Sequence, residues 1–252
     1  MRDISVTAET LPSAYHSALH TLMTWGDWVS CTDWDTKALE VSLTMTVMSP
    51  LKEPMISKFF IGGPRELQQY CMEMLDGILD FEVEKGKWAY TYHQRYADQI
   101  PFILSELRRN PDSRRAVMTI RDKDADMGSD DPACLQHIQY FIRKEKLDCM
   151  VLFRSNDACK ATFMNAFALI MLQKRIAEEL GIDVGTYTHR ANSFHCYERD
   201  VEKLRYFVAK LRRLDFEPTY NYRDDWKEMM EESVPDILKE VEELKGGCTV
   251  DA

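Results

Sequence analysis

The feature that most constrains the fold is a long apolar segment in the second half of the chain. Residues 161–180 contain no charged side chain before Lys174, and Gly181 and Gly185 follow them. A helix that is apolar around its circumference must be covered on most sides by other elements. The two glycines end this helix before a strand predicted at 186–195. The sequence therefore predicts a buried central helix.

Hydrophobic periodicity predicts the remaining elements. Residues 39–47 alternate strictly between apolar and polar side chains, which is typical of a strand with one buried face. Further strands are predicted at 115–120, 135–142 and 147–153, and helices at 12–25, from Pro64 onwards, at 98–109 and at 199–213. The acidic last 30 residues are amphipathic, with an interruption at Pro235. Because helices and strands do not alternate as regular β-α-β units, the predicted fold class is α+β.

The composition bounds the class of protein. The chain has 42 acidic and 32 basic residues, a formal net charge of −10, which argues against binding to nucleic acid or to an anionic membrane surface. We find no apolar run that could span a membrane and no apolar stretch in the first ten residues that would indicate a signal peptide. The seven cysteines include no CxxC pair, so we expect a reduced, cytoplasmic protein. Without repeats or low-complexity linkers, residues 1–245 are expected to form one domain and 246–252 a frayed tail.

Common motifs for nucleotide, metal or ester chemistry are absent. The chain has no GxGxxG, GxxxxGK[ST], HExxH or GxSxG. His16 and His20 have the spacing of two metal ligands on one helix, but no carboxylate pattern accompanies them. Two surface or half-buried histidines are therefore favoured, and we expect no metal.

Four positions are chemically informative on their own. Composition alone predicts that Cys134 is an ordinary buried cysteine. Arg114 and Arg115 begin a predicted strand, where alternation would pack one side chain and expose the other. Asn165 lies inside the apolar helix, and a buried amide needs hydrogen-bond partners, so it is either a structural contact or a ligand contact.

Residues 98–197 resemble the thymidylate synthase family, the folate-dependent type with a cysteine nucleophile. The matching segments are Asp98-Gln-Ile100, Asp112-Ser-Arg-Arg115, Pro132-Ala-Cys134 with Gln139, Arg154-Ser-Asn-Asp157, Asn165 and His195-Cys-Tyr197. Several motifs in register make the resemblance specific. It implies a mixed β-sheet packed by helices, with one sheet face at the interface of a homodimer.

The resemblance also implies roles for individual residues. Cys134 would add to C6 of a pyrimidine ring as a thiolate, whose pKa nearby arginines would lower. Arg154 and Ser155 would bind the phosphate of a nucleotide in the same subunit. Arg114 and Arg115 would reach that phosphate from across the dimer interface.

The base, the sugar and the co-substrate have implied ligands as well. Asn165 resembles the residue that binds O4 and N3–H of uracil, which favours dUMP over a cytosine nucleotide. His195 and Tyr197 resemble the contacts to the sugar hydroxyl, and Gln139 resembles a support for the nucleotide. Asp157 resembles the carboxylate that binds the pterin.

Two catalytic positions are assigned by the same resemblance. The catalytic glutamate is expected on the helix after Gly63, where Glu73 and Glu66 both qualify and Glu73 lies deeper in the helix. The alternative for either is an ordinary solvated carboxylate. Tyr90 is the other expected catalytic residue.

Departures from the family pattern concern the folate side. Leu135 follows the nucleophile where many members have histidine, Ala161 replaces a glycine, and an acidic C-terminal segment replaces a short apolar one. This pattern is similar to compact, divergent members, including archaeal-type synthases. The implied activity converts dUMP to dTMP with 5,10-methylenetetrahydrofolate or another reduced pterin as one-carbon donor. The alternatives are a 5-hydroxymethylase of dUMP, dCMP or CMP, and a nucleotide-binding protein without turnover.

Overall fold

The fold is a mixed β-sheet covered by helices, seen in a computed structural model that describes residues 1–246. The strands are β1 (Asp3–Ala8), β2 (Asp27–Cys31), β3 (Thr36–Val47), β4 (Ile56–Ser57), β5 (Val117–Thr119), β6 (Leu135–Arg143), β7 (Lys146–Asp157), β8 (Asp183–Tyr197) and β9 (Thr219–Tyr220). The helices are α1 (Leu11–Trp25), α2 (Pro64–Asp76), α3 (Phe81–Glu84), α4 (Tyr92–Tyr96), α5 (Ile100–Arg109), α6 (Thr162–Leu180), α7 (Glu198–Leu211), α8 (Lys227–Glu232) and α9 (Val234–Gly246).

Seven strands form the main sheet in the order β1-β3-β8-β7-β6-β5, and β2 also pairs with β3. The β1–β3 and β7–β8 pairs are parallel, and the other pairs of this sheet are antiparallel. Strands β4 and β9 form a separate two-stranded sheet. The predicted α+β class, with a mixed sheet packed by helices, is confirmed.

The two faces of the sheet differ in character because side chains alternate along each strand. One row of paired residues lies in the core, and all of its members are buried: Met45, His189, Val151, Ile138 and Met118. The neighbouring row points to the opposite face and is only partly buried: Thr46, Thr188, Met150, Gln139 and Val117. The helices cover the first face, and the second face is open in the single chain.

Helix α6 is the buried central helix that the apolar segment predicts. Its first four turns are mostly buried, and it contacts α2, β7 and β8. It ends at Gly181, whose φ of 69° lies in the left-handed region that glycine adopts without strain. The glycine turn directs the chain into β8, which runs parallel to β7.

Several expectations need correction. The strand predicted at 115–120 begins at Val117, and both Arg114 and Arg115 are exposed in the turn before it. The pattern of one packed and one solvated arginine was therefore wrong. His16 is buried, and its ring lies 2.9 Å from a carboxylate oxygen of Glu217, a partner from a distant segment that local spacing could not reveal.

The predicted frayed tail lies outside the described residues, except for Gly246 at the end of α9. Within residues 1–246, no helix is both long and apolar enough to cross a membrane. The same residues contain no group of three or more histidine, cysteine or acidic side chains that could hold a metal ion.

Candidate active site

Cys134 lies at the end of a loop, directly before β6, and Arg154 of β7 holds this loop in place. The backbone N–H of Arg154 donates to the Cys134 carbonyl at 2.8 Å. The guanidinium of Arg154 donates to the carbonyls of Ala133 at 3.1 Å and Pro132 at 2.6 Å. These bonds fix the half-buried thiol beside a guanidinium, so the structure brings Cys134 and Arg154 together as predicted.

The electrostatics of Cys134 differ from the expectation. Burial raises the pKa of the Cys134 thiol, while the charge of Arg154 opposes this effect and Asp131 adds to it. Arg154 lowers the pKa, as expected of a nearby arginine, but desolvation outweighs this effect in the single chain. In the ligand-free chain the thiol is therefore mostly protonated at neutral pH.

A cavity of about 520 Å³ lies near Cys134, which interacts electrostatically with the lining residue Tyr90. Its lining is rich in aromatic side chains and comes from α2, the turn between α2 and α3, the segment from α3 into the start of α4, and the loop before Cys134: Tyr70, Glu73, Met74, Leu79, Lys87, Trp88, Ala89, Tyr90, Thr91, Tyr92 and Asp131. Burial raises the pKa of Tyr90 to about 12, and Cys134 and Asp131 add to this increase. The same thiol also raises the pKa of Tyr92, which places both tyrosines within electrostatic range of Cys134.

Glu73 and Glu66 occupy different environments on α2. Glu66 is exposed, and its side chain accepts a hydrogen bond at 2.8 Å from the backbone N–H of Gly63, so it caps the start of the helix. Glu73 lines the cavity and accepts a hydrogen bond at 3.0 Å from Gln69 Nε2. Burial raises the pKa of Glu73. A carboxyl group whose pKa is raised beside a cavity is a candidate acid, whereas the capping carboxylate is already engaged.

Tyr90 is held in place by two neighbours. Its ring lies 5.7 Å from the ring of Tyr92, and the guanidinium of Arg95 lies 5.4 Å from its centroid. Arg95 is itself fixed by an ion pair of 3.0 Å with the buried Asp126. A phenol with a pKa of about 12 retains its proton at neutral pH, so Tyr90 presents a fixed hydrogen-bond donor to the cavity.

The parallel pairing of β7 and β8 brings a second group of predicted residues together. Asp157 pairs with His195 in the register of the two strands. Ser155 Oγ lies 3.4 Å from His195 Nδ1, and the ring of Tyr197 stands nearly perpendicular to that of His195 at 4.8 Å. Burial raises the pKa of Tyr197, and Cys31, Asp157 and Cys134 add to the increase, so Tyr197 lies within electrostatic range of Cys134.

Asp157 has the free hydrogen-bonding capacity that a pterin ligand requires. Its Oδ1 accepts hydrogen bonds from the backbone N–H groups of Cys159 at 2.8 Å and Lys160 at 3.0 Å. Its Oδ2 accepts none from the described part of the chain. A carboxylate with one fixed and one free oxygen can accept a hydrogen bond from an N–H group of a ligand.

Asn165 lies in the first turn of α6 and is 5% exposed. Its Oδ1 accepts a hydrogen bond from the hydroxyl of Tyr70, which lines the cavity. The amide is therefore connected to the same cavity as Glu73 and Tyr90. The sequence predicted that this buried amide has a partner but could not identify Tyr70 as that partner.

Arg114, Arg115 and Gln139 lie apart from the other predicted residues. Gln139 Nε2 donates to the Arg114 carbonyl at 3.0 Å, and the exposed Arg115 bonds to Glu106 at 3.0 Å. Hydrogen bonds from Ser113 and Arg109 lower the pKa of the buried Glu106 to about 2. This turn is fixed by its own contacts, which involve neither Cys134 nor Arg154.

Three residues that the sequence did not single out contribute to the cavity or to the arginine turn. Tyr70 and Tyr92 line the cavity, and Glu106 holds the arginine turn. The tyrosine-rich segment at 90–92 was an available signal for a ligand-facing wall. Tyr70 carries no such signal, because its partner Asn165 lies 95 positions away. Glu106 bonds to residues within nine positions, but hydrophobic periodicity does not identify such polar contacts.

Comparison with known proteins agrees with this geometry. The family model for thymidylate synthase matches residues 22–241. A Methanocaldococcus jannaschii protein, named provisionally as a thymidylate synthase, is 32% identical over 227 residues, which cover 84% of this chain and 99% of the relative. The deoxyuridylate hydroxymethyltransferase of Pseudomonas phage M6 is 29% identical over 165 residues, 62% of this chain and 47% of the relative.

A solved structure supports the fold. Thermostable thymidylate synthase A from Bacillus subtilis superposes with a TM-score of 0.65 at 18% identity, over 79% of this chain and 84% of that one. The fold is therefore that of thymidylate synthase, as the sequence resemblance implied. Since the family model spans most of the chain and the archaeal relative matches along nearly its whole length, this chain belongs to the thymidylate synthase family of transferases.

Proposed function

We propose that this chain transfers a one-carbon unit to C5 of dUMP through a covalent Cys134 adduct and thereby yields dTMP. The observation that carries the proposal is a half-buried thiol held beside Arg154 and next to a cavity that presents Glu73 and Tyr90. Residues 1–245 would form this one catalytic domain, in which Tyr197 of the β7–β8 group lies within electrostatic range of Cys134.

The chain's own residues account for the nucleophilic step. Cys134 loses its proton and its sulfur forms a bond to C6 of the pyrimidine. The electrons of the C5–C6 double bond then move toward C5 and O4. Burial raises the pKa of Glu73 and so favours its protonated form, which would donate a hydrogen bond or a proton to O4 as negative charge develops there. C5 becomes nucleophilic, and the thiol leaves again once C5 carries its new substituent and has lost its hydrogen.

The reduced pterin would supply the one-carbon unit and, for methyl formation, the hydride. Asp157 would accept a hydrogen bond from its ring through the free Oδ2, and the aromatic walls around Trp88 and Tyr90 would contact its faces. Arg154 and Ser155 would bind the nucleotide phosphate, while His195 and Tyr197 would contact the sugar.

Arg114 and Arg115 support a site shared between two chains. Tyr140 N–H donates to the Ala116 carbonyl at 2.9 Å, which fixes where the arginine turn lies along β6. Cys134 and Tyr140 are six positions apart in the sequence, which corresponds to about 20 Å along a strand. The two exposed arginines would therefore bind the nucleotide of a second subunit rather than that of their own. The open face of the sheet, which carries Gln139, would then form the interface between the two subunits.

Hydroxymethylation is the second candidate function. It shares every step up to the transfer of the carbon, after which water rather than hydride completes the new group. The similarity of this chain to the phage deoxyuridylate hydroxymethyltransferase supports hydroxymethylation as a candidate function. Both candidates predict loss of turnover in Cys134→Ala.

The test is the mass of the nucleotide product. The protein is incubated separately with dUMP, dCMP and CMP, each with methylenetetrahydrofolate, and Cys134→Ala serves as the matched control. A methyl gain on dUMP supports the synthase, whereas a hydroxymethyl gain on any substrate favours the second candidate and identifies its base. Turnover by Cys134→Ala at the wild-type rate would refute both.

A further inference from the structure

We propose that Tyr70 fixes the orientation of the Asn165 amide and thereby makes the site selective for uracil over cytosine. Tyr70 lies on α2 and lines the cavity beside Glu73, while Asn165 lies on α6. The inference rests on the proposed function together with the contact to the base edge that the family resemblance implies for Asn165. It adds a positioning residue to that contact.

An asparagine alone does not discriminate between the two bases. Its side chain has one acceptor oxygen and one donor nitrogen, and a 180° rotation exchanges them. Uracil presents N3–H as a donor and O4 as an acceptor, whereas cytosine presents unprotonated N3 as an acceptor and its amino group as a donor. An unrestrained amide would pair with either base, so selectivity requires a neighbour that fixes its orientation.

The hydroxyl of Tyr70 is that neighbour. It donates to Oδ1 of Asn165, while Nδ2 makes no hydrogen bond to any residue in 1–246. Burial raises the pKa of Tyr70 well above its ordinary value, so the phenol keeps its proton and remains a donor. In the flipped amide, the phenol would face Nδ2 and would lose the acceptor for its proton, which is costly at a buried position.

The fixed amide matches uracil and opposes cytosine. Its Oδ1 has a second lone pair that can accept N3–H of uracil, and the unpaired Nδ2 can donate to O4. Against cytosine, the same Oδ1 would face the unprotonated N3, and Nδ2 would face the amino group. The rejection of cytosine thus comes from two mismatched pairs of polar groups, which discriminate more strongly than a loss of apolar contact does.

The test is Tyr70→Phe, which removes the hydroxyl and keeps the ring. Dissociation constants for dUMP and dCMP are measured by calorimetry for wild type and variant, without a one-carbon donor. We expect the ratio of the dCMP constant to the dUMP constant to fall about 10- to 100-fold, as for the loss of one buried hydrogen bond. If the phenylalanine variant does not fold, Tyr70→Met provides the same measurement.

Two controls separate orientation from a general loss of structure. In an Asn165→Ala background, Tyr70→Phe should leave the ratio unchanged, because the hydroxyl then has no amide to orient. Tyr206→Phe removes the hydroxyl of an exposed tyrosine on α7 and should also leave it unchanged. An unaltered ratio in folded Tyr70→Phe, or an equal fall in the alanine background, would overturn the inference. A wild-type protein without preference for dUMP would instead overturn the proposed base contact, and this inference with it.

Discussion

Sharing of the site between two chains can be tested by mixing two inactive variants. One carries Cys134→Ala and the other Arg114→Ala with Arg115→Ala. The arginine turn is fixed beside Tyr140, about 20 Å along β6 from the nucleophile, and an extended arginine side chain spans less than half of that distance. If the arginines act from the partner chain, each heterodimer contains one site with both lesions and one intact site.

The expected recovery follows from random pairing. In an equal mixture half of the dimers are heterodimers, so about one quarter of all sites regain activity in a two-fold dimer. Product formation is measured after co-expression or after unfolding and refolding together, and native mass spectrometry verifies the heterodimer. A mixture of Cys134→Ala with Arg154→Ala is the matched control and should recover nothing, because Arg154 contacts the loop of its own Cys134. Heterodimers without recovered activity would refute the shared site.

Three further predictions concern single side chains. Arg154→Met should raise the pKa of Cys134 further and slow its alkylation by iodoacetamide at pH 8, whereas Arg154→Lys should retain most of the rate; equal rates would contradict the role of the charge. Glu73→Gln should lower kcat about 10²- to 10⁴-fold. Because the pKa of Glu73 is raised, its ionisation in the folded chain lowers stability as pH rises from about 4.5 towards neutrality; denaturant unfolding at pH 5 and 8 should show this loss in wild type and not in Glu73→Gln. Asn165→Asp should shift preference towards a cytosine nucleotide, and product masses that still favour uracil would remove Asn165 from base recognition.

The elements that the sequence predicts well are those defined by their own pattern. Helix α6 and strand β3 carry strong local periodicity, and both were expected within a few residues of their bounds. Strand β1 was not expected, although its six residues, Asp-Ile-Ser-Val-Thr-Ala, alternate between polar and apolar side chains. It pairs in parallel with β3, with Asp3 opposite Ser42. Its strand conformation depends on a partner that is distant in the sequence.

The residues of the candidate site also divide into those that a local sequence pattern reveals and those that it does not. Cys134, Arg154 and Asn165 were identified through motifs whose spacing is local. The hydroxyl of Tyr70 reaches Asn165 across 95 positions, so no local pattern could reveal that contact. Arg154 lowers the pKa of Cys134 as the sequence implied, but the larger, opposite effect of burial depends on the packed fold and could not be predicted from local sequence.

The shortness of β5 has a consequence for assembly. This outermost strand contains three residues, and β1 and β2 divide the opposite edge of the sheet between them. Long unpaired edges are templates for uncontrolled strand addition, and neither edge here offers one. The dimer proposed above would therefore form through the open sheet face rather than by strand addition, which would leave it a closed pair.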